Sequence, residues 1–187
     1  FNTLNTLRAL IGDDDRRAKR IVTELSDFLR YSLLDLNAPT VPLREEVDVT
    51  RTYLAIEKIR FEDRLQVEVD VDPSVASRPV PPFLVHSLVE NAVKHGMATS
   101  PRPLRIRLEA TPTDDGFQIE VANTGHLSDP SSTVALPSNG IGLKNVRQRL
   151  DQLFPDRHAF TLTEADGWVR ARVAITASTP KTTPVAP

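Results

Sequence analysis

The chain has 187 residues, with 23 Lys+Arg against 25 Asp+Glu and a formal net charge of −2, which excludes nucleic-acid binding through bulk positive charge. With 40% hydrophobic and 26% charged residues it has the balance of a soluble globular chain with one or two small cores. Cysteine is absent, which removes disulfide scaffolds, thiol nucleophiles and Cys-based zinc sites, and no apolar run approaches the roughly 20 residues of a membrane-spanning helix.

The chain opens at Phe1 with neither a methionine nor a signal peptide, so the expectation is a piece of a longer protein. Residues 1–40 read as a helical hairpin, broken at Gly12-Asp13-Asp14-Asp15, a turn cluster that also suits a helix start. The second arm carries Ile21, Leu25, Phe28, Leu29, Leu33 and Leu36 at three- and four-residue spacing. A single partner arm cannot cover so long a stripe, so a second copy and a four-helix dimer are expected. The alternative is that this face packs on the rest of the chain.

Pro39 and Pro42 mark a short extended break. Leu43 to Phe61 then reads as a helix, with stripes Val49, Tyr53, Ile56 and Val47, Leu54, Phe61. Strand periodicity follows in Val67, Val69 and Val71. It returns in Leu104, Ile106 and Leu108, which form a hairpin with Phe117, Ile119 and Val121 across the Asp114-Asp115-Gly116 turn. A second hairpin joins Phe160 and Leu162 to Val169, Ala171, Val173 and Ile175 across Ala165-Asp166-Gly167. Two further helices are read at about Pro82 to His95 and Leu143 to Phe154. The expected architecture is α+β: a helical hairpin over 1–40, a two-layer α/β sandwich with a mixed sheet over 41–176, and a disordered Pro/Thr/Ala-rich tail over 177–187.

The helix after Pro81-Pro82 carries the most chemistry. At about 3.6 residues per turn, Val85, Leu88, Val89, Ala92 and Val93 share one side, and Ser87, Glu90, Asn91, Lys94 and His95 share the other. A carboxylate, an amide oxygen, an ammonium and an imidazole within two turns can hold Mg²⁺ together with phosphate oxygens, because Mg²⁺ favours a few protein oxygens plus phosphate. The same pattern also describes a plain solvated face. Gly96 is read as the helix stop.

Asn123-Thr124-Gly125 closes a strand, where the Asn123 amide can pair with a planar ring such as adenine. A polar loop, His126 to Ser138, is long enough to act as a lid. It leads into Asn139-Gly140-Ile141-Gly142 at a helix start, where free backbone N–H groups and the helix dipole suit phosphate.

Glu90-Asn91-x-x-Lys94-His95-Gly96, Asn123-x-Gly125, a lid and Gly140-x-Gly142-Leu143, in that order, resemble the ATP-binding fold shared by gyrase, the Hsp90 chaperones, histidine kinases and MutL. Phe1-Asn2-Thr3-Leu4-Asn5, Leu29-Arg30-Tyr31-Ser32, Arg60-Phe61-x-Asp63-Arg64-Leu65 and Gly140-Ile141-Gly142-Leu143-Lys144-Asn145-Val146-x-x-Arg149-Leu150 extend the resemblance to LytS-type sensor histidine kinases, over residues 1 to about 175. The resemblance implies a Bergerat-type ATP-binding domain behind a dimerising hairpin, with ATP and Mg²⁺ as cofactors. Asn91 would hold the metal, Glu90, Lys94 and His95 would line the phosphates, and Asn123 would meet the adenine. Gly125, Gly140, Ile141, Gly142 and Leu143 would flank the lid. It implies transfer of the γ-phosphoryl group to a histidine and then to a response regulator, a homodimer, and a cytoplasmic location in a membrane-attached parent.

Two departures stand out. The family's phosphoacceptor motif ends in the Phe-Asn that opens this chain, which would place the histidine upstream of Phe1. The histidines present are His86, His95, His126 and His158. Asn123 stands where the family usually has aspartate. Two other readings follow from these departures: a non-enzymatic dimer that signals by contact, and an ATPase of the same fold with Glu90 activating water. His86 is expected on the helix surface and His126 in solvent. Arg60 and Arg64 are expected as structural ion-pair partners.

Overall fold

The computed structural model describes residues 39–127 and 141–177. Most of the expected hairpin, lid and tail lies outside the described residues, as does Gly140.

The first helix, α1 (Leu43–Phe61), follows directly on a two-residue strand, β1 (Val41–Pro42). Its first turn carries Glu45 and Glu46 and its last turn Lys58 and Arg60, which complements the helix dipole at both ends. Positive φ at Glu62 breaks the helix. The chain then enters β2 (Leu65–Val71), where Val67, Val69 and Val71 are half-buried and the residues between them face water. A short strand β3 (Pro79–Val80) turns back to pair antiparallel with β1, clipping the start of α1 to the approach of the next helix.

That helix, α2 (Leu84–Thr99), is followed by the hairpin of β4 (Leu104–Thr113) and β5 (Gly116–Thr124). A third helix, α3 (Ile141–Leu153), leads to the closing hairpin of β6 (His158–Ala165) and β7 (Trp168–Thr176). Both hairpins turn at the predicted Asp-Asp-Gly and Asp-Gly positions.

The five-stranded sheet has the order β2-β4-β5-β7-β6, with β2 parallel to β4 and every other pair antiparallel. Ile106, Leu108 and Ala110, then Phe117, Ile119 and Val121, then Val169 to Ile175 at every second position, turn one face inward. Helix α2 lies across the sheet centre on β4 and β5, with α1 over β2 on one side and α3 toward β6 on the other. Leu84, Leu88, Leu104, Ile106, Leu108, Ile119 and Leu150 are fully buried where these layers meet. The opposite sheet face is charged and laced by ion pairs such as Arg107–Glu68 at 3.1 Å and Arg172–Glu120 at 2.6 Å. The fold is the expected α+β sandwich of a mixed sheet and a single helical layer.

Candidate functional site

The start of α2 is set by groups from two other helices. Phe83, just before it, has φ +60, and no local side chain caps the free N–H groups of the first turn. Glu46 of α1, fully buried, does so instead: its carboxylate accepts from Phe83 N at 2.6 Å and from Val85 N at 3.0 Å. From the other side Arg149 of α3 donates through Nη1 to the Pro82 carbonyl at 2.6 Å. The Pro81-Pro82-Phe83 stretch is thereby held between α1 and α3.

A cavity of about 260 Å³ opens beside that stretch, between the N-terminal halves of α2 and α3. Its polar lining comes from His86, Ser87, Glu90, Asn145 and Arg149, with Gly142 at the mouth of α3. Two of the sequence-predicted residues, Glu90 and Gly142, thus meet in one cavity although 52 positions separate them. Gly142 is exposed, and a Cβ there would meet no atom within 4 Å. Leu143, next to it, is buried at 4% exposure and anchors the turn in the core.

The faces of α2 divide as the periodicity predicts. Glu90, Lys94 and His95 are exposed and Asn91 half-exposed, while Val85, Leu88, Val89, Ala92 and Val93 are buried. Burial and the neighbouring Lys94 ammonium hold the His95 imidazole below its ordinary pKa, so it favours the neutral form. On α1, burial raises the Glu57 pKa, a trend that Arg60 opposes and Glu90 reinforces. Arg60 pairs with Glu57 at 3.4 Å, the ion-pair role expected of it. Tyr53 is held far above the usual phenol range by burial, then by Glu57 and Glu90.

His86 departs from expectation. It is 8% exposed rather than on the helix surface, with its ring edge-on to Tyr53 at 5.0 Å and to Phe83 at 6.2 Å. Helix α2 is flanked on both sides by α1 and α3, so a wider arc of it is covered than a single apolar stripe suggests.

Gly96 is the second correction. The helix does not stop there but runs to Thr99, with Gly96 buried inside it. A Cβ at Gly96 would come 2.6 Å from Leu104 Cδ1 and 3.1 Å from Asn123 Nδ2. The glycine serves a close helix–sheet approach, not a helix end. Asn123, 5% exposed at the end of β5, lies across from it and donates through Nδ2 to the Thr124 carbonyl at 2.9 Å.

The next residue but one, Gly125, has φ +126, and a Cβ there would sit 2.5 Å from Thr99 Oγ1. Here the conformation and the close approach both require glycine. Ser100 and Thr124 share a hydroxyl hydrogen bond at 2.5 Å, and Thr99 Oγ1 accepts from His126 N at 3.2 Å. His126, as expected, is largely exposed, but its Nδ1 is 2.8 Å from Glu164.

Asn91, Lys94, His95, Asn123 and Gly125 do not line the cavity that Glu90 and Gly142 share. They follow it along α2 and onto the adjoining strand end, so the candidate residues form a track from the N-terminal half of α2 to its C-terminal end. Sequence reasoning missed Glu46, a buried carboxylate in what reads as an ordinary acidic first turn. It also left Arg149 without a role, although the quoted motif contains it.

Among the described residues no cluster of three or more His, Asp or Glu side chains could hold a metal ion alone. Asn91 and Glu90 still offer hard oxygen donors on the accessible face of α2, which fits a cation sharing its shell with phosphate oxygens. The hydrogen-bonding groups of Ser87, Asn145 and Arg149 likewise fit a polyanionic ligand.

The family described as histidine kinase matches residues 1–65. The sensor protein LytS of Staphylococcus saprophyticus is 34% identical over 162 residues, which cover 82% of this chain and 27% of the relative. The sensor histidine kinase BtsS of Escherichia coli is 31% identical over 171 residues, 91% of this chain and 30% of the relative. The chain therefore spans under a third of these relatives. Among solved structures, the catalytic domain of histidine kinase ThkA superposes with a TM-score of 0.55 at 14% identity, covering 73% of this chain and 94% of that one. The histidine kinase domain of the blue-light-activated kinase from Erythrobacter litoralis gives 0.54 at 18% identity, covering 91% and 84%.

Proposed function

We propose that this chain, a homologue of the LytS-type sensor histidine kinases over most of its length, is the ATP-binding and dimerisation portion of a two-component sensor. It binds Mg·ATP along α2 and donates the γ-phosphoryl group to a histidine, from which a response regulator receives it. The observation that carries this reading is the shared cavity. Glu90 and Gly142, from two separated motifs, line it beside the polar face of α2, where the amide, ammonium and imidazole of Asn91, Lys94 and His95 follow in sequence.

In this assignment Asn91 holds the metal with the phosphate oxygens, and Mg²⁺ supplies charge neutralisation of the polyphosphate. Lys94 adds a fixed positive charge beside it. His95, biased to the neutral form, can donate or accept a hydrogen bond at a phosphate oxygen without charge repulsion from Lys94. The N–H groups of the Ile141-Gly142-Leu143 turn sit at the start of α3, where backbone donors and the helix dipole both favour an anion. Asn123 meets the base, and Gly125 flanks the lid. The protein's share of phosphoryl transfer is thus positioning and electrostatics.

We assign the acceptor histidine to a position upstream of Phe1, and residues 1–40 to a homodimeric hairpin on which the response regulator docks. The parent is proposed to be membrane-attached, with this portion in the cytoplasm. Among the described residues no helix is long and apolar enough to cross a membrane.

Calorimetric titration with a non-hydrolysable ATP analogue and Mg²⁺ tests the site. Wild-type binding that is lost in Asn91→Ala, with the fold intact by circular dichroism, is the expected result. A folded wild type that binds no nucleotide would overturn it in favour of a dimer that signals by contact.

A further inference from the structure

We infer that Glu46 is a positioning residue for the nucleotide site: its carboxylate sets the rotation of α2 about its own axis, and with it the aim of Glu90 and Asn91. The inference rests on the nucleotide reading above and adds to it a residue of α1 that acts through α2 alone.

Glu46 is fully buried, and both its oxygens serve one short stretch of another helix. Oε1 accepts from Phe83 N at 2.6 Å and Oε2 from Val85 N at 3.0 Å. A single hydrogen bond would leave a pivot. Two bonds, to N–H groups two residues apart, fix the rotation of the first turn as well as its place. The bonds from Leu84 N to the Pro81 carbonyl at 3.2 Å and from Ser87 N to the Phe83 carbonyl at 3.1 Å close within the stretch itself and orient it against nothing else. Arg149 of α3 adds one bond, to the Pro82 carbonyl.

The carboxylate is mounted on a stiff frame. Thr50 Oγ1 donates to the Glu46 carbonyl at 2.7 Å. Leu43 N donates to the Arg78 carbonyl at 2.9 Å and Arg44 N to the Ala76 carbonyl at 2.8 Å, while Val41 pairs with Val80. The first turn of α1 and the strand that leads into Pro81 therefore move as one body, and Glu46 fastens α2 to it. Phe83 keeps φ +60, which is disfavoured for a residue with a Cβ. The N–H that Oε1 holds is its own, so without the carboxylate Phe83 can relax to negative φ and turn the entry into α2.

Asn91 lies six residues after Val85, under two helical turns. Side chains reach about 6 Å from a helix axis, so a rotation of about 10° carries a side-chain tip about 1 Å. Mg²⁺ holds its oxygen ligands to near-octahedral geometry, and a displacement of that size at Asn91 weakens binding. Charge alone predicts the opposite sign. Removing a buried anion from this end of α2 favours a polyphosphate, so a loss of affinity on neutralising Glu46 reports position rather than field.

The test is calorimetric titration with a non-hydrolysable ATP analogue and Mg²⁺. It compares wild type with Glu46→Gln, Glu46→Ala and Val69→Ala, each at a temperature where circular dichroism shows it fully folded. Val69, half-buried on the edge strand β2, supplies a loss of stability without touching the cap. Glu46→Ala is expected to weaken binding about tenfold and Glu46→Gln, which keeps one acceptor oxygen, about threefold, with Val69→Ala within about twofold of wild type. Unchanged or tighter binding by the folded Glu46 variants overturns the inference and leaves the nucleotide site standing, as does an equal loss in Val69→Ala. Failure of wild type to bind the analogue overturns the site itself and the inference with it. If Glu46→Ala does not fold, Glu46→Gln decides by the same comparison.

Discussion

Glu46 Oε2 accepts a hydrogen bond from the backbone N–H of Val85, 39 residues further along the chain. A helix start is usually capped by its own preceding residue; α2 borrows its cap from α1. Its second oxygen takes the N–H of Phe83, and Thr50 Oγ1 donates to the Glu46 carbonyl at 2.7 Å, fixing the turn that carries the carboxylate. Glu46→Ala takes the carboxylate from one buried and one part-buried donor and should cost roughly 3 kcal/mol of stability, read as a shift in urea midpoint. A loss below about 1 kcal/mol would mean that water replaces the cap.

His86 makes stability depend on pH. Burial lowers its pKa from 6.5 to about 4, so between those values the unfolded chain binds the proton and the native state does not. By linkage, stability falls as pH drops from 6.5 to 4, by roughly 3 kcal/mol over that window, and is unaffected by this group above it. Thermal midpoints at pH 7 and pH 4.5 should therefore converge for His86→Phe relative to wild type. An undiminished acid sensitivity in that variant would move the cause elsewhere.

At Gly142 structural and binding roles can be separated. The residue lies in the first turn of α3 with open space around it, so alanine should be neutral or stabilise by up to about 1 kcal/mol. If the turn approaches phosphate as proposed, the same substitution lowers nucleotide affinity severalfold. An unchanged affinity would remove Gly142 from the site.

Arg149 is predicted to matter twice. Its guanidinium bonds the Pro82 carbonyl and lines the cavity. Arg149→Lys keeps the charge but loses the planar fork, so it should cost about 1 kcal/mol of stability and widen the gap between α2 and α3. Hydrogen exchange at Phe83, Leu84 and Val85 should speed up. Unaltered exchange there would show that Glu46 alone holds the stretch.

The fold was legible in the sequence wherever periodicity coincided with turn chemistry. The bounds of α1 and both hairpin turns follow from local pattern, because each burial choice repeats along one element. What escaped were features set by packing between elements. Gly96 looks like a stop, but its lack of a side chain answers Leu104 and Asn123, which lie across the helix–sheet gap. His86 reads as polar and exposed, yet Tyr53 and Phe83 cover it. The β1–β3 clip was invisible because two two-residue strands have no period. Among the site residues, the polar face of α2 could be read from its spacing alone. The meeting of Glu90 with Gly142 could not, since it depends on how α3 lies against α2.

The parallel pairing of β2 with β4 carries a consequence for assembly. Antiparallel neighbours such as β4 and β5 can zip from a tight turn, but β2 must wait for a partner that begins 33 positions after its own last residue, beyond β3 and α2. Closing that long loop is entropically slow unless the intervening helix forms first. The antiparallel strands can thus form a scaffold early. In that order the edge bearing α1 and β2 would dock last, bringing Glu46, the group that secures the start of α2. The cavity walls would therefore be among the final parts of the molecule to become rigid.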